Sequence, residues 1–460
     1  MHNGRVRVEI IAVTIAAAIL FCALMIRPII GVADNGDFSR VMAVTGLDYT
    51  ESSSQDRYFG YATREYAVKA LTAIGGGYLT TQVIPVKAAM LIQAAVLWGR
   101  TFDIRFLSFI YSIVFLFSIY LVIKCNKRRE NIINWLMAAI ILFVFADLAY
   151  ISYFNSFYGE ALSFVSVILT VAAAAWLFKS EKPGVIPLVL LFAALFGFRL
   201  YMAKKDRAWR IIAATSSIVL LVLSIAVFLC VPEGIRECNK YQSVFYGILK
   251  DSPAPAQDLE ELGVDPAFAI LAGTDYFAGN HPVDLGSQAF REGFFDRVSH
   301  MKIIGFYLKH PVRYFQKLEK TAKNGFLIKH GYGNYEKNPG VKYGEAVKSF
   351  TFWSDNKGKL FPNTLEFVLL FFAGYFLVLL IKRFESKSLH EKIYLEVYIL
   401  IGLIGAIQFM ITVIGDGEAD LGRHLFLFGV CFDIMFVSGV VWLVNTALGT
   451  FLNRYELLSQ

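Results

Sequence analysis

Apolar residues occur along this chain in runs of roughly 20, each long enough to cross the hydrocarbon core of a bilayer. The runs lie near 10–30, 83–98, 104–123, 132–152, 161–178, 184–200, 211–231, 362–381, 393–414 and 425–446. They predict an all-α polytopic membrane protein with about 8–10 transmembrane helices. The exception is 232–361, which has the composition of a soluble protein and is cut into short elements by Pro253, Pro255, Pro282 and Pro311. It is long enough for a small domain. The expected organisation is a transmembrane region over 1–231 with an outer loop at 31–103, a small extracytoplasmic domain over 232–361, and a second transmembrane region over 362–460. One helix is legible inside the soluble segment, from Phe294 to Ala322, with a break at Lys309-His310-Pro311.

Charge placement sets the topology. Basic residues gather in short loops, Lys124–Arg129, Lys204–Arg210 and Lys382–Lys392, which tend to stay cytoplasmic. Arg5 and Arg7 precede the first run. Gly31-Val32-Ala33 offers the small residues of a signal-peptidase site, but the run before it is longer than a signal h-region, so an uncleaved first helix is expected. The run 83–98 is short and interrupted by Pro85 and Lys87, which predicts an interfacial helix on the outer surface. Both termini are then cytoplasmic in a multi-pass cell-membrane protein. The outer face carries 31–103, Tyr153–Glu160, 232–361 and Gly415–Arg423. Parity fails only within 161–200, where two runs stand for an odd number of crossings.

Composition narrows the chemistry. The chain is 56% hydrophobic and only 18% charged, against about 25% charged in soluble domains. Its net charge of +7 comes from the short basic loops, so no nucleic acid is expected as a partner. The five cysteines lack metal-ligand spacing; only Cys230 and Cys238 are placed to meet, and no disulfide is expected. There is no Walker loop, dinucleotide glycine motif, HExxH or CxxC pair. No metal or cofactor is expected, and chemistry belongs on the outer side without soluble nucleotides.

Three distant segments place charge at outer helix ends. The first is Asp34-Asn35-Gly36-Asp37-Phe38-Ser39-Arg40, a turn after the first helix. The second ends in Glu160; the third holds Asp416, Glu418, Asp420, Arg423 and His424. An acid fixed at a membrane surface can act as general base, with Asp37 ahead of Asp34. Arg423 opens an apolar helix directly, and its planar fork suits a phosphate better than lysine does. Each segment can also be read as ordinary polar capping of a transmembrane helix. Asp147 and Asp433 lie within apolar runs, where either a functional role or satisfaction by a neighbouring helix fits. His310 reads best as the end of a surface helix.

This layout resembles the GT-C superfamily of membrane glycosyltransferases. Asn35-Gly36-Asp37-Phe38 stands at the position of the family's catalytic acid, Glu160 at that of the second-loop acid, and Arg423-His424-Leu425 is similar to its Arg-Tyr-Leu type motif. Among these enzymes the chain looks most like bacterial hexose transferases of S-layer and cell-wall glycan synthesis. It departs from the superfamily in having fewer runs between the second outer loop and the soluble segment. The resemblance implies transfer of a sugar from a polyprenyl-phosphate donor to a cell-envelope glycan or lipid-linked acceptor. Asp37, Asp34 and Glu160 would be the catalytic acids, and Arg423, His424 and Arg40 would face the donor phosphate. An O-antigen polymerase or ligase would not need an acid after the first helix. A lipid or glycan transporter would show internal repeats and midplane polar residues.

Overall fold

In a computed structural model, residues 7–69, 80–97, 99–127, 131–180 and 230–458 are described, with scattered positions between 215 and 229. The runs 184–200 and most of 211–231, and the loop Lys204–Arg210, lie outside the described residues. The chain is an all-α polytopic membrane protein. Five described helices are long and apolar enough to cross a membrane: Arg105–Cys125, Gly159–Trp176, Leu365–Glu385, Leu389–Asp416 and Phe426–Ala447. A sixth span arises if Asn131–Phe145 and Leu148–Asn155, bent by 50°, count as one. The bend has a local cause: Asp147 breaks the run and its carboxylate accepts the Ala149 N–H at 2.9 Å, capping a new helix. Val8–Leu24 and Val83–Val96 are apolar but shorter.

The bundle is built around two helices. Arg105–Cys125 packs along Gly159–Ser180 and against Val8–Leu24, while Gly159–Ser180 also meets Leu389–Asp416. Leu389–Asp416 in turn carries Leu365–Glu385 and the helix Phe426–Leu458. The apolar positions that face inward, such as Leu107, Phe115, Phe164, Ile168, Val397 and Val430, form one core with residues of the segment 31–103, among them Phe38, Tyr66 and Phe102.

The segment 31–103 contains a feature that the apolar runs did not reveal. Three short strands, β1 (Leu47–Tyr49), β2 (Glu65–Val68) and β3 (Thr101–Asp103), pair antiparallel in the order β1-β2-β3. Tyr49 stands opposite Tyr66, and Tyr66 opposite Phe102. The rings of Tyr66 and Phe102 cluster on Phe157 of the segment 153–160, at 4.7 and 6.3 Å between centroids. The two loops are therefore locked together by aromatic burial, worth more than ordinary apolar contact per pair.

The chain after the first helix runs extended against the end of the soluble segment. Gly31 N–H donates to Asn334 O at 2.8 Å, and Ala33 N–H to Gly333 O at 2.9 Å. A Cβ on Gly31 would stand 2.7 Å from the Asn155 carbonyl oxygen, so only glycine fits this crossing. Packing thus accounts for the glycine at 31.

Within 232–361, Tyr241, Phe245, Leu259, Phe290, Phe294 and Phe306 anchor a separate aromatic core. Residues 326–361 join the transmembrane core instead, through Ile328, Val347 and Trp353. The long helix expected from Phe294 begins later, at His300, and breaks at His310 before continuing as Pro311–Asn324. The break falls where proline removes a backbone donor. All five cysteines are free.

Candidate active site

Asp34 and Asp37 share one turn but have opposite environments. The Asp34 side chain accepts the backbone N–H of Gly36 at 2.8 Å and of Phe38 at 3.0 Å. Its other oxygen accepts a short hydrogen bond from the Tyr49 hydroxyl. It is 1% exposed, and burial pushes its pKa up to about 6 despite those bonds. Gly36 at φ 108° supplies the left-handed residue that the turn needs. Asp34 therefore holds the turn together, and every acceptor it has is engaged by the protein.

Asp37 stands at the N-terminal cap of the helix Phe38–Thr45 but caps nothing with its side chain. Phe38 anchors that helix by packing edge-on against Phe157 and Tyr158, at 5.4 and 4.6 Å. The freed Asp37 carboxylate meets Arg40 at 2.8 Å and forms a short ion pair with Arg423. Burial works against its charge, yet the Arg423 and Arg40 guanidiniums outweigh burial and hold its carboxyl below the ordinary 3.8. A lowered folded pKa means that this linkage stabilises the fold above the unfolded pKa. The contribution is lost as pH falls through the folded value.

Arg423 lies in the short helix Leu421–His424, just before the apolar helix that starts at Phe426. Leu421 and Leu425 are buried and fix its position. Its Nε lies 3.3 Å from Asp420 and 3.8 Å from Glu160, and its guanidinium sits 5.1 Å from the Tyr158 ring centre. Glu160 is in the first turn of Gly159–Ser180, where the helix dipole favours a negative charge. Arg423 is only 10% exposed, and its buried Nη1 has no hydrogen-bond partner. A buried guanidinium N–H without an acceptor is uncommon, and an anionic ligand would satisfy it.

The remaining site residues form a rim. His424 Nε2 contacts Asp416 at 2.9 Å, leaving the other Asp416 oxygen without a partner. Tyr332 donates to Asp420 at 2.7 Å and accepts from the Asn35 amide at 3.4 Å. The Tyr158 hydroxyl donates to Ala33 O at 3.0 Å and accepts the Asn35 N–H at 2.9 Å. Burial pushes His330, beside Tyr332, down to about 4, so its imidazole is neutral near pH 7. Among the described residues, no group of three or more His, Cys, Asp or Glu is arranged to hold a metal ion.

The structure thus gathers Asp37, Glu160, Arg423, His424 and Arg40 into one cluster at the helix ends, with Asp34 in the same turn as Asp37. Tyr332 and His330 were missed in the sequence, although Lys329-His330-Gly331-Tyr332-Gly333 is a polar, aromatic stretch in a segment otherwise read only as a domain. His310 instead contacts Glu261 at 2.8 Å, within the soluble segment.

Fold and site together define a multi-pass helical membrane protein with a buried polar cluster where its helices meet their connecting loops. The chain belongs to the family described as the YfdI N-terminal transmembrane domain, which matches residues 1–455. It is 23% identical over 357 residues to the uncharacterized protein YfdI of Escherichia coli (strain K12), covering 74% of this chain and 76% of that one. No solved structure matches it.

Proposed function

We propose that this protein is a membrane glycosyltransferase of GT-C type. It moves a sugar, a hexose in the closest resemblance, from a polyprenyl-phosphate donor to a cell-envelope glycan or lipid-linked acceptor. The chemistry takes place on the outer face of the membrane, with both termini cytoplasmic. One observation carries the reading: Asp37 and Arg423, 386 positions apart, meet directly, with Glu160 beside them.

In this reading Asp37 accepts the proton of the acceptor hydroxyl. The oxygen then forms a bond to the anomeric carbon, and the bond from that carbon to the phosphate oxygen breaks. The phosphate leaves with the electron pair, and Arg423 stabilises its charge. The Arg423–Asp37 pair makes the two events dependent on each other. While the guanidinium holds Asp37, the carboxylate is a weak base. A donor phosphate that draws Arg423 toward itself removes that charge and raises the basicity of Asp37. Glu160, held near the same guanidinium, keeps Arg423 aimed at the site.

An Arg423→Lys variant is expected to lose much of its turnover, because an ammonium cannot span carboxylate and phosphate as a planar fork does. Arg423→Ala should lose more. Turnover per folded protein is the measurement, and full turnover in Arg423→Ala would remove Arg423 from the mechanism.

A further inference from the structure

Beside the Arg423 cluster is a cavity of about 580 Å³ with a lysine-rich wall. Lys250, Lys320, Lys323 and Lys329 line it, against only Glu418 and Asp420 as acids. Asp420, Leu421 and Gly422 form its shared wall with the site, and Arg423 is the next residue in the chain. Lys329 is paired with Asp355 at 2.6 Å, but the remaining charges do not cancel. Glu418 is bonded to Lys250 at 3.0 Å, Lys320 at 2.9 Å and the buried Lys317 at 2.6 Å. Asp251 contacts Lys317 at 2.8 Å and also pairs with Lys320. Three ammonium groups therefore share two carboxylates. Asp420 is already engaged by Arg423 and Tyr332. Lys323 has no ion-pair partner among the described residues, and it follows Lys320 by three positions on one helix, so the two share a face. The buried Nε2 of His330, also in the wall, has no hydrogen-bond partner. Gly422 in its wall stands four residues before the apolar helix that begins at Phe426, so the cavity adjoins the end of a candidate membrane span.

We propose that this lysine-lined cavity binds the phosphate of the polyprenyl carrier, a proposal that rests on the transferase reading for the identity of the lipid. The lysines supply ground-state affinity for the anion. Arg423, whose charge is divided among three carboxylates, acts on the charge that develops as the glycosidic bond breaks. Lysine is suited to the first task as a mobile point charge, and arginine to the second as a fixed fork. The division predicts separable kinetics: changes to the cavity lysines raise KM, while changes to Arg423 lower kcat.

The test uses the full chain in nanodiscs of neutral lipid, with labelled polyprenyl phosphate lacking any sugar as the probe. Lys323 is the residue to change, because its substitution breaks no ion pair in the structure; thermal unfolding is the folding control. Lys323→Gln should weaken binding about threefold and Lys323→Glu about tenfold or more, as loss and reversal of one nearby charge imply. Inorganic phosphate should compete for the wild type and less well for Lys323→Glu. Unchanged affinity in Lys323→Glu would overturn the proposal. So would equal weakening for phosphatidylglycerol, which would mark a general anionic-lipid surface. Lysine-dependent binding by protein that moves no sugar when it is separately given polyprenyl-phosphate sugars and acceptors would refute the transferase reading and leave the anion site standing.

Discussion

Asp37→Asn is expected to abolish sugar transfer, a loss of about 10²–10⁴-fold for removal of a general base, while the protein stays folded in the membrane. The asparagine keeps the size and hydrogen-bonding shape of the side chain. It gives up the charge that pairs with Arg40 and Arg423. The matched control is Asp34→Asn. Its Oδ1 can still accept from Gly36 and Phe38, and its amide can donate to the Tyr49 hydroxyl, which then accepts. Asp34→Asn should therefore keep the turn and most of the activity. Asp34→Ala leaves two backbone donors and a tyrosine hydroxyl without their partner and should cost about 1–3 kcal/mol. Turnover per folded protein in the two asparagine variants separates the acids. An inactive Asp34→Asn with an active Asp37→Asn would move the base to Asp34.

The second large effect concerns a buried ion pair. Lys357 and Asp433 are both fully buried, 2.7 Å apart. Asp433 also accepts from the Tyr150 hydroxyl at 2.6 Å and the Trp353 indole N–H at 2.7 Å. Lys357 donates to the Gly429 carbonyl at 3.1 Å. Asp147 adds a second tie to the same element, accepting the Ser354 N–H at 2.9 Å and its hydroxyl at 2.8 Å. Together these bonds fasten the helix Phe352–Leu360 to the membrane bundle. Lys357→Met should destabilise the protein by about 3–5 kcal/mol, because Asp433 is left charged and unpaired in a dry interior. Lys357→Met with Asp433→Leu should recover much of that loss, since both charges are gone. Thermal unfolding in detergent reads both; an unchanged midpoint in Lys357→Met would show that the pair contributes nothing.

The membrane-spanning class was legible because the length of an apolar run decides it, whatever the periodicity. The break before Pro311 was legible for an equally local reason. The sheet β1–β3 was not, because strands of three or four residues leave too little alternation to read. Asp147 and Asp433 could not be assigned from sequence, since the groups that satisfy them, Ser354, Trp353 and Lys357, come from a segment far along the chain. The same holds for the base: Asp34 and Asp37 look alike in a four-residue turn, and only Tyr49 on one and Arg423 on the other distinguish them. Grouping Asp37, Glu160 and Arg423 was possible because the topology expected from the basic loops put all three at helix ends on one side. The lysine cavity was invisible, since its residues are spread from Lys250 to Lys329 and each reads as a solvated charge.

The most direct measurement is transfer itself. The purified chain in liposomes would be given a panel of polyprenyl-phosphate hexoses labelled in the sugar, together with cell-envelope glycan and lipid-linked acceptors. Label should move from one of the lipid donors to an acceptor with wild-type protein and stay on the lipid with Asp37→Asn. Folded wild-type protein that moves no label from any polyprenyl-phosphate sugar, or an Asp37→Asn variant that moves it at the wild-type rate, would contradict the assignment.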